Sequence, residues 1–140
     1  MNGFKDLQVY QLSEKLANEI WFIVKDWDFF AKETIGKQLV KSADSIGANI
    51  AEGNGRFNLA DNQRFVKIAR GSLNETRHWL RLAYARTLLT KEQKDRLKPI
   101  IDELAPKLNA YLNSLKREPI KKSIVNNHEQ STTNKQQTTN

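Results

Sequence analysis

From Asp6 to about Trp27 the apolar residues Tyr10, Leu16, Ala17, Ile20, Val24 and Trp27 recur three and four positions apart. That is the period of a helix with one buried face. Trp21, Phe22 and Ile23 widen this face and predict more than one packing neighbour. After a short connection at Asp28, Phe29 and Phe30, the pattern resumes with Ile35, Leu39, Ala43, Ile46 and Ile50, and a second helix is expected to end at Glu52 and Gly53. Asn58 is a good N-cap, with Asp61 three residues on. It opens a third helix running through Phe65, Ile68, Ala69, Ser72, Thr76, Trp79, Leu80, Ala83 and Leu88. Thr90 and Gln93 form a second capping box, which leaves a residue or two for the turn. The fourth helix carries Leu97, Ile101, Leu104, Leu108, Tyr111, Leu112 and Leu115. Pro99 and Pro106 each remove a backbone donor and crowd the preceding turn, so this helix is expected to bend or start late.

No stretch alternates as a strand would, and no internal repeat stands out. Four helices with short connections predict an all-α, antiparallel up-down four-helix bundle over residues 1–116. From Arg117 onward the chain reads REPIKKSIVNNHEQSTTNKQQTTN, polar and rich in Asn, Gln, Ser and Thr. Residues 117–140 are therefore expected to be a disordered tail.

The 140 residues suit one domain. With no cysteine, disulfides and thiolate metal sites are excluded. The first residues, MNGFKDLQVYQL, lack a cationic segment followed by an apolar one, and no long apolar run follows. The expectation is a soluble cytoplasmic protein with no membrane role. Lysine and arginine number 23 against 16 acidic residues, for a net charge of +7, and the pI is near 9.7. An anionic partner, with RNA or DNA the first candidate, follows from that balance, although modest basicity also serves solubility alone.

Enzymatic and metal chemistry find little support. Glu75 and His78 form a Glu-x-x-His pair, but a di-iron bundle needs two such pairs. The only other histidine is His128, in the tail. Arg70 and His78 lie two turns apart with no second histidine in the bundle for acid-base cleavage of RNA. No catalytic residue, cofactor or metal ligand is assigned.

The basic residues are better organised. Arg70, Arg77 and Arg81 are spaced seven and four apart, so at about 100° per residue they share one stripe with Lys67 nearby. Such a stripe suits phosphates, and it also suits a solvated face with local ion pairs. Trp21, Trp27, Phe29, Phe30 and Trp79 exceed what one small aliphatic core accommodates, which predicts a contact with another chain.

The segment SIGANIAEGNGR, Ser45 to Arg56, carries a second pattern. Gln38, Ser45, Asn49 and Glu52 fall about 100° to one side of the apolar sector. Partly desolvated polar groups there need partners. Arg56, Arg64, Ser72 and Glu75 are the candidates. Gly53 stands where a left-handed C-cap is wanted, and Gly55 completes the reversal. Gln38, Ser45, Asn49, Glu52, Gly53, Arg56, Ser72 and Glu75 are thus expected to form a structural clasp between the second and third helices.

The segments FKDLQVYQLSEKLANEI, GKQLVKSADSIGANIAEGNGRF and RFVKIARGSLNETRHWLRLA, in this order, resemble a bacterial family of four-helix bundle proteins. Its distinctive parts are the NIAEG-x-x-R core and the following A-x-G-S-x-x-E. The family includes proteins encoded in intervening sequences of large-subunit ribosomal RNA genes and accessory variability determinants of diversity-generating retroelements. The resemblance covers roughly Phe4 to Lys116 and implies a homo-oligomer, a pentamer in known members. In the retroelement branch it further implies binding to nucleic acid and a reverse transcriptase. In the intervening-sequence branch it implies a structural or assembly role with no direct nucleic-acid contact. The shared motif marks the fold and does not choose between the branches.

Overall fold

The computed structural model describes residues 3–126, with side chains as far as Lys116. Four long helices account for most of it: α1 (Gln8–Val24), α2 (Lys37–Asn54), α3 (Leu59–Ala85) and α4 (Lys91–Asn126). Among the described residues there is no strand. Each helix packs on two others in a closed cycle, α1 on α2, α2 on α3, α3 on α4 and α4 back on α1. This is the up-down four-helix bundle that the apolar periodicity predicts.

The connection before α2 is more structured than expected. Asp28 accepts a hydrogen bond from the Ala31 backbone N–H at 2.9 Å, an N-cap. One α-helical turn (Phe29–Ala31) and a π-helical turn (Lys32–Gly36) then lead directly into α2. Helical backbone therefore begins at Phe29, ahead of the apolar series starting at Ile35. A β-carbon on Gly36 would lie 2.9 Å from Val24 Cγ1, so the π turn passes tightly against the end of α1.

The α2–α3 contact is the most extensive in the molecule. Along α3 the buried residues are Asn62, Val66, Ala69, Leu73, Thr76, Leu80 and Ala83. They alternate steps of four and three, the spacing of a helix seam. Val66 and Leu73 occupy the core where the sequence reading favoured Phe65 and Ile68, and Ile68 is 43% exposed. Those two residues lie one step off the seam, close enough in angle to mimic it. The buried residues of α2 are Leu39, Ser42, Ala43, Ile46, Gly47, Ile50 and Gly53, of which Gly47 lies against Tyr10 and Ser13 of α1 and Gly53 against Asn62 and Phe65 of α3.

The helix ends correct the expected roles of the glycines. Gly53 is inside α2, and no glycine has positive φ. Its β-carbon would lie 2.6 Å from Asn62 Oδ1 and 2.9 Å from Phe65 Cβ, so Gly53 serves the close approach of α3. Gly55, at φ −82°, caps α2 in right-handed geometry. The left-handed residue is Thr87, at φ 60°. There the Thr87 N–H donates to the Tyr84 carbonyl at 3.1 Å and the Leu88 N–H to the Ala83 carbonyl at 2.9 Å. This pair of bonds is a Schellman ending with threonine in the position that favours glycine. It stops α3 at Ala85, so the loop to α4 is longer than the residue or two expected.

Both anticipated N-caps form. Asn58 Oδ1 accepts from the Asp61 N–H at 3.1 Å. Thr90 and Gln93 cap reciprocally at 3.1 and 3.0 Å. The start of α4 is therefore not delayed, and the helix runs unbroken through Pro99 and Pro106. Both prolines are on the exposed side, where the carbonyls they leave unbonded face water. The α4 backbone is helical to Asn126, ten residues past the expected boundary at 116. Polar composition predicts the absence of burial, and it does not by itself halt a helix already nucleated. The rest of the expected tail, residues 127–140, lies outside the described residues.

Urea titration checks this account of the helix ends. Gly53→Ala is expected to lower the unfolding free energy by about 1–3 kcal/mol through overpacking. Thr87→Gly is expected to raise it by about 0.5–1 kcal/mol by relieving the left-handed backbone. A wild-type midpoint for Gly53→Ala would contradict the close contact.

Candidate nucleic-acid interface

Two polar constellations flank α3. On the α2 side, hydroxyls bridge the helices, and one amide of α2 buttresses them. The Ser72 hydroxyl donates to Ser45 Oγ at 2.9 Å. Asn49 Nδ2 donates back to the same Ser45 oxygen at 2.9 Å and to the Ser45 carbonyl at 2.8 Å. Deeper in the contact, the Thr76 hydroxyl donates to Ser42 Oγ at 2.9 Å, and Ser42 donates to the Leu39 carbonyl at 3.1 Å. Ser42 and Thr76 are fully buried, so this inner pair holds the strongest demand for satisfied hydrogen bonds.

The remaining clasp residues are placed differently. Glu52 Oε2 accepts from Arg56 Nη2 at 2.7 Å, with the two side chains 55% and 41% exposed. This pair lies along the end of α2 and does not cross to α3. Arg56 reaches α3 only through the Phe65 ring, its guanidinium 4.9 Å from the ring centroid, with Arg64 at 4.5 Å. Gln38 is exposed. Glu75 is exposed and accepts from Trp79 Nε1 at 3.1 Å on its own helix. The clasp therefore consists of Ser42, Ser45, Asn49, Ser72 and Thr76, with Gly53 allowing the approach. Gln38, Glu52 and Glu75 stand outside it because each lies far enough round its helix to reach water. Also on α2, partial burial pushes the Asp44 carboxyl above its ordinary range.

On the α4 side, Lys67, Arg70, Arg77 and Arg81 are all exposed. Arg70 Nη1 donates to Asn109 Oδ1 of α4 at 3.3 Å. Arg77 and Arg81 line a groove of about 490 Å³ between α3 and α4, and Lys94 and Lys98 of α4 line it opposite them. Lys67 is not among the groove residues. The floor is apolar, with Leu80, Leu97 and Ile101, and Tyr84 stands at the rim, 41% exposed. Asp102 is the single acid in the lining, and Lys98 already holds it at 2.6 Å. Among the described residues, Arg77 and Arg81 have no carboxylate within 4 Å. Lys94 Nζ lies 4.2 Å from the Tyr84 ring centroid.

The sequence reading found one wall of this groove and missed the other. Lys94 and Lys98 recur at helical spacing, four apart, in KEQKDRLK at the start of α4, which is the signal that could have shown them. His78 packs edge-on against Trp79, ring centroids 4.8 Å apart. Among the described residues, no cluster of three or more His, Asp or Glu side chains is placed to hold a metal ion. No helix there is long and apolar enough to cross a membrane.

Double-mutant thermodynamics separate the inner hydroxyl pair from the exposed ion pair. Ser42→Ala and Thr76→Val are each expected to cost about 1 kcal/mol, and together less than the sum. Glu52→Ala is expected to shift stability by no more than about 0.5 kcal/mol. A larger loss for Glu52→Ala than for Ser42→Ala would overturn this assignment.

Comparison with known proteins places the chain by both sequence and shape. No curated protein matches it. A solved structure from Bacteroides thetaiotaomicron, described as a protein with unknown function from the S23 ribosomal protein family, shares 28% sequence identity. That alignment covers 74% of this chain and 97% of the other, with a TM-score of 0.66. The model of the 23S rRNA-intervening sequence protein family matches residues 5–110, which take in the hydroxyl clasp and all of the groove's lining residues. The chain belongs to the 23S rRNA-intervening sequence protein family.

Proposed function

We propose that this protein is a non-enzymatic, homo-oligomeric bundle that binds nucleic acid through the groove between α3 and α4. The observation that carries the reading is the pairing of Arg77 and Arg81, free of acidic partners among the described residues, with Lys94 and Lys98 across one groove. Arginine forks match pairs of phosphate oxygens, and cations on two facing walls, Arg77 and Arg81 against Lys94 with Lys98 paired to Asp102 beside it, neutralise a run of phosphates better than a single stripe. Arg70, held by Asn109 at the same helix boundary, extends the cationic edge. The family's link to ribosomal RNA genes fits an RNA ligand.

Exposed aromatic residues favour self-association as the second part of this reading. Trp21 is 52% exposed and Phe29 and Phe30 are each 77% exposed, well separated in the chain from the basic groove. Large apolar side chains left in water at this density suit a contact with another copy. A homo-oligomer, with the pentamer of similar proteins as the specific expectation, would repeat the groove around a ring. A purely structural assembly role rests on the same aromatics without the groove, and a reverse transcriptase partner rests on the resemblance to retroelement accessory proteins.

Fluorescence anisotropy with an RNA oligonucleotide across a salt series tests the binding role. Three phosphate contacts, from Arg77, Arg81 and Lys94, predict a slope of log affinity against log salt of about −2, and Arg77→Ala with Arg81→Ala should make it shallower by about 1.4. Binding that is absent, or unchanged in slope by the double substitution, would refute the groove. Light scattering at micromolar concentration should report a mass several times that of one chain, and a clean monomer would refute the self-association.

A further inference from the structure

The groove combines two features that one class of nucleic acid can use together. Its rim is cationic, through Arg77, Arg81, Lys94 and Lys98, and the half-exposed ring of Tyr84 stands among these cations at the edge of an apolar floor. A duplex presents phosphates on a convex cylinder and keeps the faces of its bases stacked inward, so it would meet the rim and leave the ring unused. A single strand offers phosphates and free base faces from the same few nucleotides. From this we infer that the groove selects single-stranded over duplex nucleic acid, with Tyr84 as the platform on which a base stacks.

The position of Lys94 couples the two kinds of contact. Its ammonium lies 4.2 Å from the Tyr84 centroid, so in the free protein the cation occupies the π-face. A phosphate arriving at the rim draws that ammonium outward, and the vacated face is open to a base. Charge complementarity argues for this anionic occupant: the single acid in the lining is engaged by Lys98, so the groove's remaining cations are available to the ligand.

This inference rests on the groove being the nucleic-acid site, and the experiment keeps the two apart. A labelled, unstructured 12-nucleotide RNA and the same sequence annealed to its complement are titrated against the full chain, its Tyr84→Leu and Tyr84→Phe variants, and the Arg77→Ala/Arg81→Ala double variant. The single strand is expected to bind at least fivefold tighter than the duplex. Tyr84→Leu should weaken single-strand binding about fivefold or more, the low end of stacking contributions, while leaving the salt slope and duplex binding unchanged. Tyr84→Phe should restore wild-type affinity, which a loss through misfolding would not allow, and circular dichroism melting of Tyr84→Leu monitors the fold directly. Equal affinity for single strand and duplex, or a Tyr84→Leu variant indistinguishable from wild type, would overturn the selectivity while loss of binding in the arginine variant kept the groove as the site. If neither RNA binds and a Glu- and Leu-rich helical peptide does, the groove is a protein-docking site and both readings fall.

Discussion

The close approach of α2 and α3 is the constraint on which the rest of the molecule depends. Two helices can lie this near only where the side chains between them are small or absent, and the sequence supplies Gly53, Ala69 and Ala83 at the seam. Small residues bury little apolar surface, so the contact also has to satisfy the polar groups it encloses. Ser42 with Thr76 and Ser45 with Ser72 do this by bonding to one another across the interface. The same step that removes bulk thus introduces hydroxyls whose geometry fixes the register of α3 against α2.

That register determines what α3 presents elsewhere. With the seam at Asn62, Val66, Ala69, Leu73, Thr76, Leu80 and Ala83 facing inward, the stripe of Arg70, Arg77 and Arg81 is carried round to the edge shared with α4. α4 completes the site with Lys94 and Lys98, held in place by the Thr90–Gln93 capping box and by Leu97 and Ile101 in the core. Packing and charge are therefore divided between two edges of one helix. The edge toward α2 is small, hydroxyl-rich and largely buried, and the edge toward α4 is long-chained, cationic and exposed.

Local rules made the helices, their N-caps and the bundle legible in the sequence, because 3.6-residue periodicity and Asx or Thr capping act within a few residues. What they missed depended on neighbours far away in the chain. Gly53 looks like a helix terminator to a local rule, and only Asn62 and Phe65 of α3 show that it is there for lack of a β-carbon. Thr87 carries no sequence mark of a left-handed residue, yet the bonds to Tyr84 and Ala83 hold it there. Glu52 and Arg56 attract attention as charged residues at helical spacing, whereas the polar pair with most at stake is Ser42 and Thr76. Ser42 sits beside Ala43 in the apolar series, and its polarity hides its place in the seam. The groove was half legible: one wall is a regular stripe on α3, and the other becomes part of the same site only once α4 folds beside it.

If SIGANIAEGNGR is architecture and the proposed nucleic-acid surface is the α3–α4 groove, only the second of these segments should respond to ligand. Hydrogen–deuterium exchange of the full chain, with and without a single-stranded RNA oligonucleotide, tests this division most directly, and it does so whatever the oligomeric state. Exchange is expected to slow in peptides spanning Arg77 to Asp102 and to change little from Ser45 to Arg56. Protection centred on Ser45 to Arg56, with the segment from Arg77 to Asp102 unaffected, would contradict it.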